Sequence, residues 1–169
     1  MRISEMILPE FDHEMANTRK VLERVPDGKG DYKPHGKSFP LGHLAQHVSR
    51  LPTWTLRIVD NIEFDVAPAS GTVFPGYTNE RTAKLVEDFD KNVADARTAI
   101  ARTTDEQFQV QWSFKRTGKV MFAMPRYAML RSMMLNHLIH HRAQLQVYLR
   151  LNDVPVPGMY GPSADERVG

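Results

Sequence analysis

Apolar residues return at three- and four-residue steps in four stretches of the chain, and glycine and proline gather between them. The first stretch runs from about Ile3 to Val25, where Ile7, Phe11, Met15, Thr18, Leu22 and Val25 fall near one face. That spacing follows the 3.6-residue turn and predicts an amphipathic α-helix with one buried side. Pro9 allows two beginnings, a helix from near Leu8 or a short lead-in turn, because proline is tolerated in a first turn and disruptive later. Residues 26–37 hold three glycines and two prolines, which predicts a loop. Ser38 and Pro40 then supply a cap and an early-turn proline for a second helix to about Ile62, with Leu44, Leu51, Trp54 and Ile58 on its apolar face. A loop from Glu63 to Tyr77 precedes a third helix from about Thr78 to Thr103, where Leu85, Phe89, Val93, Ala96 and Ile100 are in step. In residues 104–124, Phe108, Val110 and Trp112 alternate with glutamines ahead of a turn-like Arg116-Thr117-Gly118-Lys119, the pattern of a short hairpin or extended excursion. The fourth helix opens near Pro125 and runs to about Leu151, ended by Asn152-Asp153 and the prolines at 155 and 157. Four helices with long connections predict an all-α fold, an antiparallel four-helix bundle forming a single domain over residues 1–169.

Composition narrows the function classes. A chain of 169 residues can bury a core without disulfides or a structural metal, so a metal site found here is free to be functional. Its 41% hydrophobic and 25% charged residues are ordinary for a folded protein. With 22 Lys+Arg against 20 Asp+Glu the net charge is only +2, which argues against a nucleic-acid surface. The absence of cysteine excludes disulfides, cysteine-based zinc sites and a thiol nucleophile from the chain itself. The N-terminal residues meet Glu5 at once and lack the apolar run and cleavage site of a signal peptide. No stretch approaches the roughly 18 to 20 apolar residues of a membrane span. A cytoplasmic protein with no membrane partner is expected.

The histidines carry the chemistry. Of seven, His43 and His47 lie on the second predicted helix and His137, His140 and His141 on the fourth. Residues four apart on a helix sit one above the other, so His137 and His141 present imidazoles to a common point on the stripe that includes Leu130, Met133, Met134, Gln144 and Tyr148. His140 lies roughly 80° off that line and is not a ligand candidate. A third ligand must come from another helix. Geometry admits both His43 and His47; His43 stands nearer the helix start and closer to solvent, which favours His47. Three neutral imidazoles form a normal catalytic set for a divalent metal, with positions left for water or substrate. Zinc or nickel is expected, with iron or manganese behind. A lone HxxxH pair is a weak motif, and buried histidines with hydrogen-bond partners give the same pattern. The sequence His137-Leu-Ile-His-His141 lacks the glutamate of His-Glu-x-x-His, which excludes a protease of that type.

The run Leu135-Asn-His-Leu-Ile-His-His-Arg-Ala-Gln-Leu-Gln-Val-Tyr-Leu-Arg150, followed by Val154-Pro-Val-Pro-Gly-Met-Tyr-Gly-Pro-Ser-Ala-Asp-Glu166, resembles the C-terminal signature of the DinB/YfiT-like family. The segment Leu41-Gly-His-Leu-Ala-Gln-His-Val-Ser-Arg-Leu-Pro-Thr-Trp54 is similar to that family's first ligand segment, and the resemblance assigns His47. It implies a four-helix bundle, commonly a homodimer, with a divalent metal held by three histidines. Some relatives are metal-dependent thiol transferases or hydrolases that use low-molecular-weight thiols.

These readings converge on a metal-dependent transferase or hydrolase acting on a small molecule, with His47, His137 and His141 as ligands. Two other classes stand beside it: a stress or binding protein whose metal only pins helices, with His43 as a fourth ligand, and a metal-free helical dimerisation module. Asn136, Arg142 and Gln144 flank the ligands, where such residues more often face solvent or pack against a neighbour than orient a site. Asp12, His13 and Glu14 on the first helix could bring a carboxylate toward the metal, though the surface is the expected place for them, and the tail with Tyr160, Asp165 and Glu166 is expected to be solvated or folded back over a helix end.

Overall fold

The computed structural model describes residues 1–167. Helix α1 spans Ile3–Leu22, α2 Leu41–Arg50, α3 Trp54–Asp60, α4 Thr82–Arg102, α5 Asp105–Gln109, α6 Arg126–Met129 and α7 His137–Leu151. Strands β1, β2 and β3 are Glu63–Asp65, Gln111–Arg116 and Lys119–Pro125. The all-α four-helix expectation is therefore corrected: the fold joins helices to a three-stranded mixed sheet. Strand β2 lies in the middle, parallel to β1 and antiparallel to β3.

Local chemistry accounts for the sheet. Thr117 and Gly118 both take positive φ, 50° and 77°, as a two-residue hairpin turn requires for its twist to match the flanking strands. Asp65 at the end of β1 accepts backbone hydrogen bonds from Thr117 (3.0 Å) and Gly118 (2.6 Å), tying the turn to the neighbouring strand. The indole of Trp112 is fully buried and donates to the Arg57 carbonyl at 3.1 Å, so β2 is anchored on α3. A parallel pair needs a long crossover, and α4 and α5 lie between β1 and β2 in the chain.

The core is one cluster running through the helices, with Phe11 and Leu22 from α1, Leu44 from α2, Ile58 from α3, Leu85, Phe89 and Ile100 from α4, and Leu138 and Leu145 from α7. The third predicted helix starts at Thr82 rather than near Thr78, and two of the others are interrupted. The second predicted helix breaks into α2 and α3 at a tight 3₁₀ turn, Leu51–Thr53, because Pro52 lacks the N–H that an unbroken α-helix needs there. The fourth is also composite: between α6 and α7, Leu130–Asn136 forms a wider π-helical stretch that ends at His137. Pro9, by contrast, sits inside α1, which starts at Ile3 and continues through it.

None of the described helices is long and apolar enough to cross a membrane. The tail folds back, as one expectation had it. Asp165 accepts from the Val156 N–H at 2.8 Å and pairs with Arg150, while Glu166 pairs with Arg24.

Candidate metal centre

Helix α2 contributes His47 and the start of α7 contributes His137 and His141, and one ring nitrogen from each lies within 4.8 Å of the others. The Nε2 atoms of His137 and His141 are 2.9 Å apart. The rings of His47 and His141 meet edge-on at 4.6 Å between centroids, and those of His47 and His137 at 5.3 Å. All three side chains are half-buried, at the margin of the core rather than inside it.

Neighbouring residues set which nitrogen each ring presents. Nδ1 of His141 is 2.8 Å from Gln144 Oε1; the amide oxygen accepts, so Nδ1 carries the proton and Nε2 keeps its lone pair. Nδ1 of His47 is 2.9 Å from the Tyr77 hydroxyl, which leaves Nε2 to face the other two rings. Tyr77 comes from the loop before α4, and α2 holds that loop. The Gln46 side chain accepts from the Thr78 N–H at 2.9 Å, and Arg50 donates to the carbonyls of Pro75 (3.3 Å) and Gly76 (3.1 Å).

His137 gives the test of whether a cation fits. Its Nδ1 is buried with no hydrogen bond. With His141 Nε2 as an acceptor, the 2.9 Å contact puts the His137 proton on Nε2 and leaves a bare lone pair on buried Nδ1. Moving that proton to Nδ1 turns it toward the Met133 carbonyl one turn back, whose influence opposes the downward shift of this ring's pKa. The same move frees the Nε2 lone pair, and a positive ion facing Nε2 favours it. The donor set therefore fits a divalent metal.

The rings are kept neutral. Burial, followed by the neighbouring His141, His137, His43 and Arg50, pushes His47 down to about 3. Burial is also the largest cause of the lowered values at His137 and His141. In the unfolded chain these groups bind protons below about pH 6.5, while in the folded chain His47 resists until about 3 and His137 and His141 also take up their protons below the usual value. Unfolding then takes up protons, so the metal-free protein should lose stability as pH falls from about 6.5 toward 3. Melting temperatures of chelated protein across that range should fall, and His47→Asn should flatten part of the decline; equal slopes for both proteins would contradict the burial argument.

His43 lies outside the group of three. Its ring is stacked between Phe39 (4.3 Å) and Tyr77 (3.6 Å), so it supports the tyrosine that holds His47. Asp12 pairs with Arg97, and His13 contacts Asn17 and the Tyr160 ring. Glu14, expected at the surface, is buried against Arg142, which is itself 2% exposed, with Nη1 2.7 Å from the carboxylate. Arg142 Nη2 also donates to the Tyr160 hydroxyl at 2.7 Å, and that hydroxyl donates to Glu14. Gln144 does orient a ligand, whereas Asn136 is exposed. Tyr77 was not singled out from the sequence; it sits in a loop, and its only signal was an aromatic residue between Gly76 and the start of a helical pattern.

His47 and His137 line a cavity of about 420 Å³ that also has Trp54, Arg57, Phe74 and Tyr77 in its wall, while His141 lines a neighbouring hollow with Leu44, Gln144 and Tyr148. This volume is within the range of small-molecule sites. A helical scaffold with a small sheet and three convergent imidazoles beside a cavity defines a class of small proteins equipped to bind a metal ion. Residues 4–167 match the model of the DinB family, and the chain belongs to that family. It is similar to YrdA of Bacillus subtilis strain 168, 24% identical over 161 residues that cover 94% of this chain and 89% of the relative. Two solved structures share the fold. A DinB-like protein from Bacillus cereus ATCC 10987 has a TM-score of 0.70 at 20% identity, covering 92% of this chain and 97% of its own. The DinB-like protein YjoA from Bacillus subtilis has a TM-score of 0.65 at 19% identity, covering 89% and 95%.

Proposed function

We propose that the chain is a metal-dependent enzyme of transferase or hydrolase type, acting on a small molecule at an ion held by His47, His137 and His141. The observation that carries this reading is the convergence of three imidazole nitrogens within 4.8 Å of one another, with the His47 and His137 rings in the wall of a cavity. Zinc or nickel suits an all-imidazole set best. Such an ion, when bound, lowers the pKa of a coordinated water or thiol and supplies a nucleophile near neutral pH.

The protein's own residues do the positioning. Gln144 fixes the ring tautomer of His141 and Tyr77 holds the orientation of the His47 ring, so that these two imidazoles, with His137, would hold the ion. Three protein ligands would leave room for water or substrate on the ion, and Trp54 and Phe74 in the cavity wall displace bulk water. With no cysteine in the chain, any thiol in the reaction comes from outside, and a low-molecular-weight thiol is the co-substrate this reading calls for.

Elemental analysis of untagged protein, purified without chelator and reconstituted with zinc or nickel, should show near-stoichiometric metal. Gln144→Ala should retain the fold and weaken that metal by about tenfold, the low end of what an orienting partner contributes. Wild-type protein that takes up neither ion sinks the metalloenzyme reading. Metal binding with no activity on thiol-transfer or amide-hydrolysis substrates would leave a metal-binding protein that is not an enzyme.

A further inference from the structure

One wall of the cavity follows a single stripe of the α2–α3 run: His47, Arg50, Leu51, Trp54 and Arg57, at steps of three and four residues. Arg57 lies ten positions beyond His47, roughly 15 Å along a helix. The cavity thus has imidazoles at one end, a guanidinium at the other, and mostly apolar surface between them. The carboxylate-bearing residue in its wall, Asp88, is engaged by Lys84 at 2.6 Å.

Arg57 is unlike the other arginines near the core. Buried Arg142 faces a carboxylate, buried Arg126 donates to the carbonyls of Gln107 and Asn61 although its Nε too lacks a partner, and Arg50 donates to two carbonyls. Among the described residues Arg57 has no such acceptor, and its Nε is buried without a hydrogen bond. Its guanidinium is held over the rings of Phe64 (4.6 Å) and Phe74 (5.2 Å). Aromatic faces attract a cation but leave its N–H groups unused, and a half-buried cation without an acceptor is held at a cost. A ligand anion arriving through the cavity would provide the missing acceptors, and guanidinium takes a carboxylate in a two-point fork.

We infer that Arg57 anchors the carboxylate of an apolar organic acid, which lies along the cavity past Trp54 with its far end at His47 and His137. The inference deepens the proposed function by naming a substrate class, and it rests on that reading only for what happens at the histidine end. Arg57 sets specificity here, and it is distant from the reacting atoms.

The test uses isothermal titration of the whole protein, metal-free and zinc-loaded, with the phenylalkanoates from phenylacetate to 6-phenylhexanoate and their neutral primary amides. At least one acid should bind tenfold or more tightly than its amide in both forms. Arg57→Gln should abolish that preference while leaving amide binding in place, and Arg57→Lys should retain part of it. His47→Ala should leave it intact. The inference is overturned if no acid outbinds its amide, if the preference survives Arg57→Gln, or if that variant weakens acid and amide alike, as a purely structural arginine would. A preference seen only with zinc and indifferent to Arg57 places the carboxylate on the ion; it removes this inference and leaves the metal reading standing. The converse, an Arg57-dependent preference in protein that binds no metal, removes the metal reading alone.

Discussion

Alanine in place of His137 should weaken zinc or nickel binding by about a hundredfold or more. Loss of a residue that merely orients a ligand costs metal sites roughly 10–100-fold, and a ligand itself counts for at least the upper end of that range. His47→Ala should do the same from a different helix, which a single-helix HxxxH site would not require. The exposed His140 provides the control, since its substitution should leave affinity unchanged. Competition against a chromophoric chelator measures all three. A second readout is thermal: excess metal should raise the melting temperature of the wild type and not of His137→Ala, because an ion bound only to the folded state stabilises by mass action. Stoichiometric metal at wild-type affinity in His137→Ala would falsify the three-histidine assignment.

The second large effect lies on another face of α7, the one turned to α1. Glu14→Ala should destabilise the fold by about 3–5 kcal/mol, the usual consequence of stranding one member of a buried ion pair. Arg142 would lose the carboxylate at 2.7 Å and keep only the Glu14 carbonyl, Thr18 and the Tyr160 hydroxyl as partners for a cation that is 2% exposed. For a chain of this size the melting temperature should fall by roughly 10 °C. Replacing both partners, Glu14→Leu with Arg142→Met, should recover most of that loss, because no charge is then left alone in the core. Melting curves of the single and double variants decide it: a double variant no better than Glu14→Ala would mean that packing, rather than the unpaired charge, carries the effect.

The metal-site candidates were legible because a helix turns spacing into direction. His137 and His141 are one turn apart on the fourth predicted helix, and that relation survives whatever the rest of the chain does. Choosing His47 over His43 needed more than spacing and rested on helix position and the family resemblance; in the structure His47 lies with the other two rings, and His43 is stacked between Phe39 and Tyr77. Glu14 was misread for another reason. It falls on the stripe Ile7, Phe11, Glu14, Thr18, Val21, which is buried, so its position signalled the core while its charge suggested the surface. Only a partner distant in sequence could resolve that conflict, and Arg142 is 128 positions away.

The sheet shows the same limit. The alternation around Phe108, Val110 and Trp112 and the Thr117-Gly118 turn gave the hairpin as one of two options. The parallel pairing of Glu63–Asp65 with Ser113–Lys115 had no local signal, since a three-residue strand is too short to show a period. The all-α expectation failed there.

The π-helical stretch at Leu130–Asn136 acts as a phase adjuster for α7. One surplus residue taken up in a wide turn lets the helix resume with every later side chain set back by about 100° from where an unbroken α-helix would carry it. The bearing of His137 and His141 toward His47 is therefore written into the length of the segment before them as much as into their own identities. A chain shortened by one residue there, Ser132 for instance, could straighten into ordinary helix and still aim the pair correctly, whereas inserting one more would turn both imidazoles away from α2.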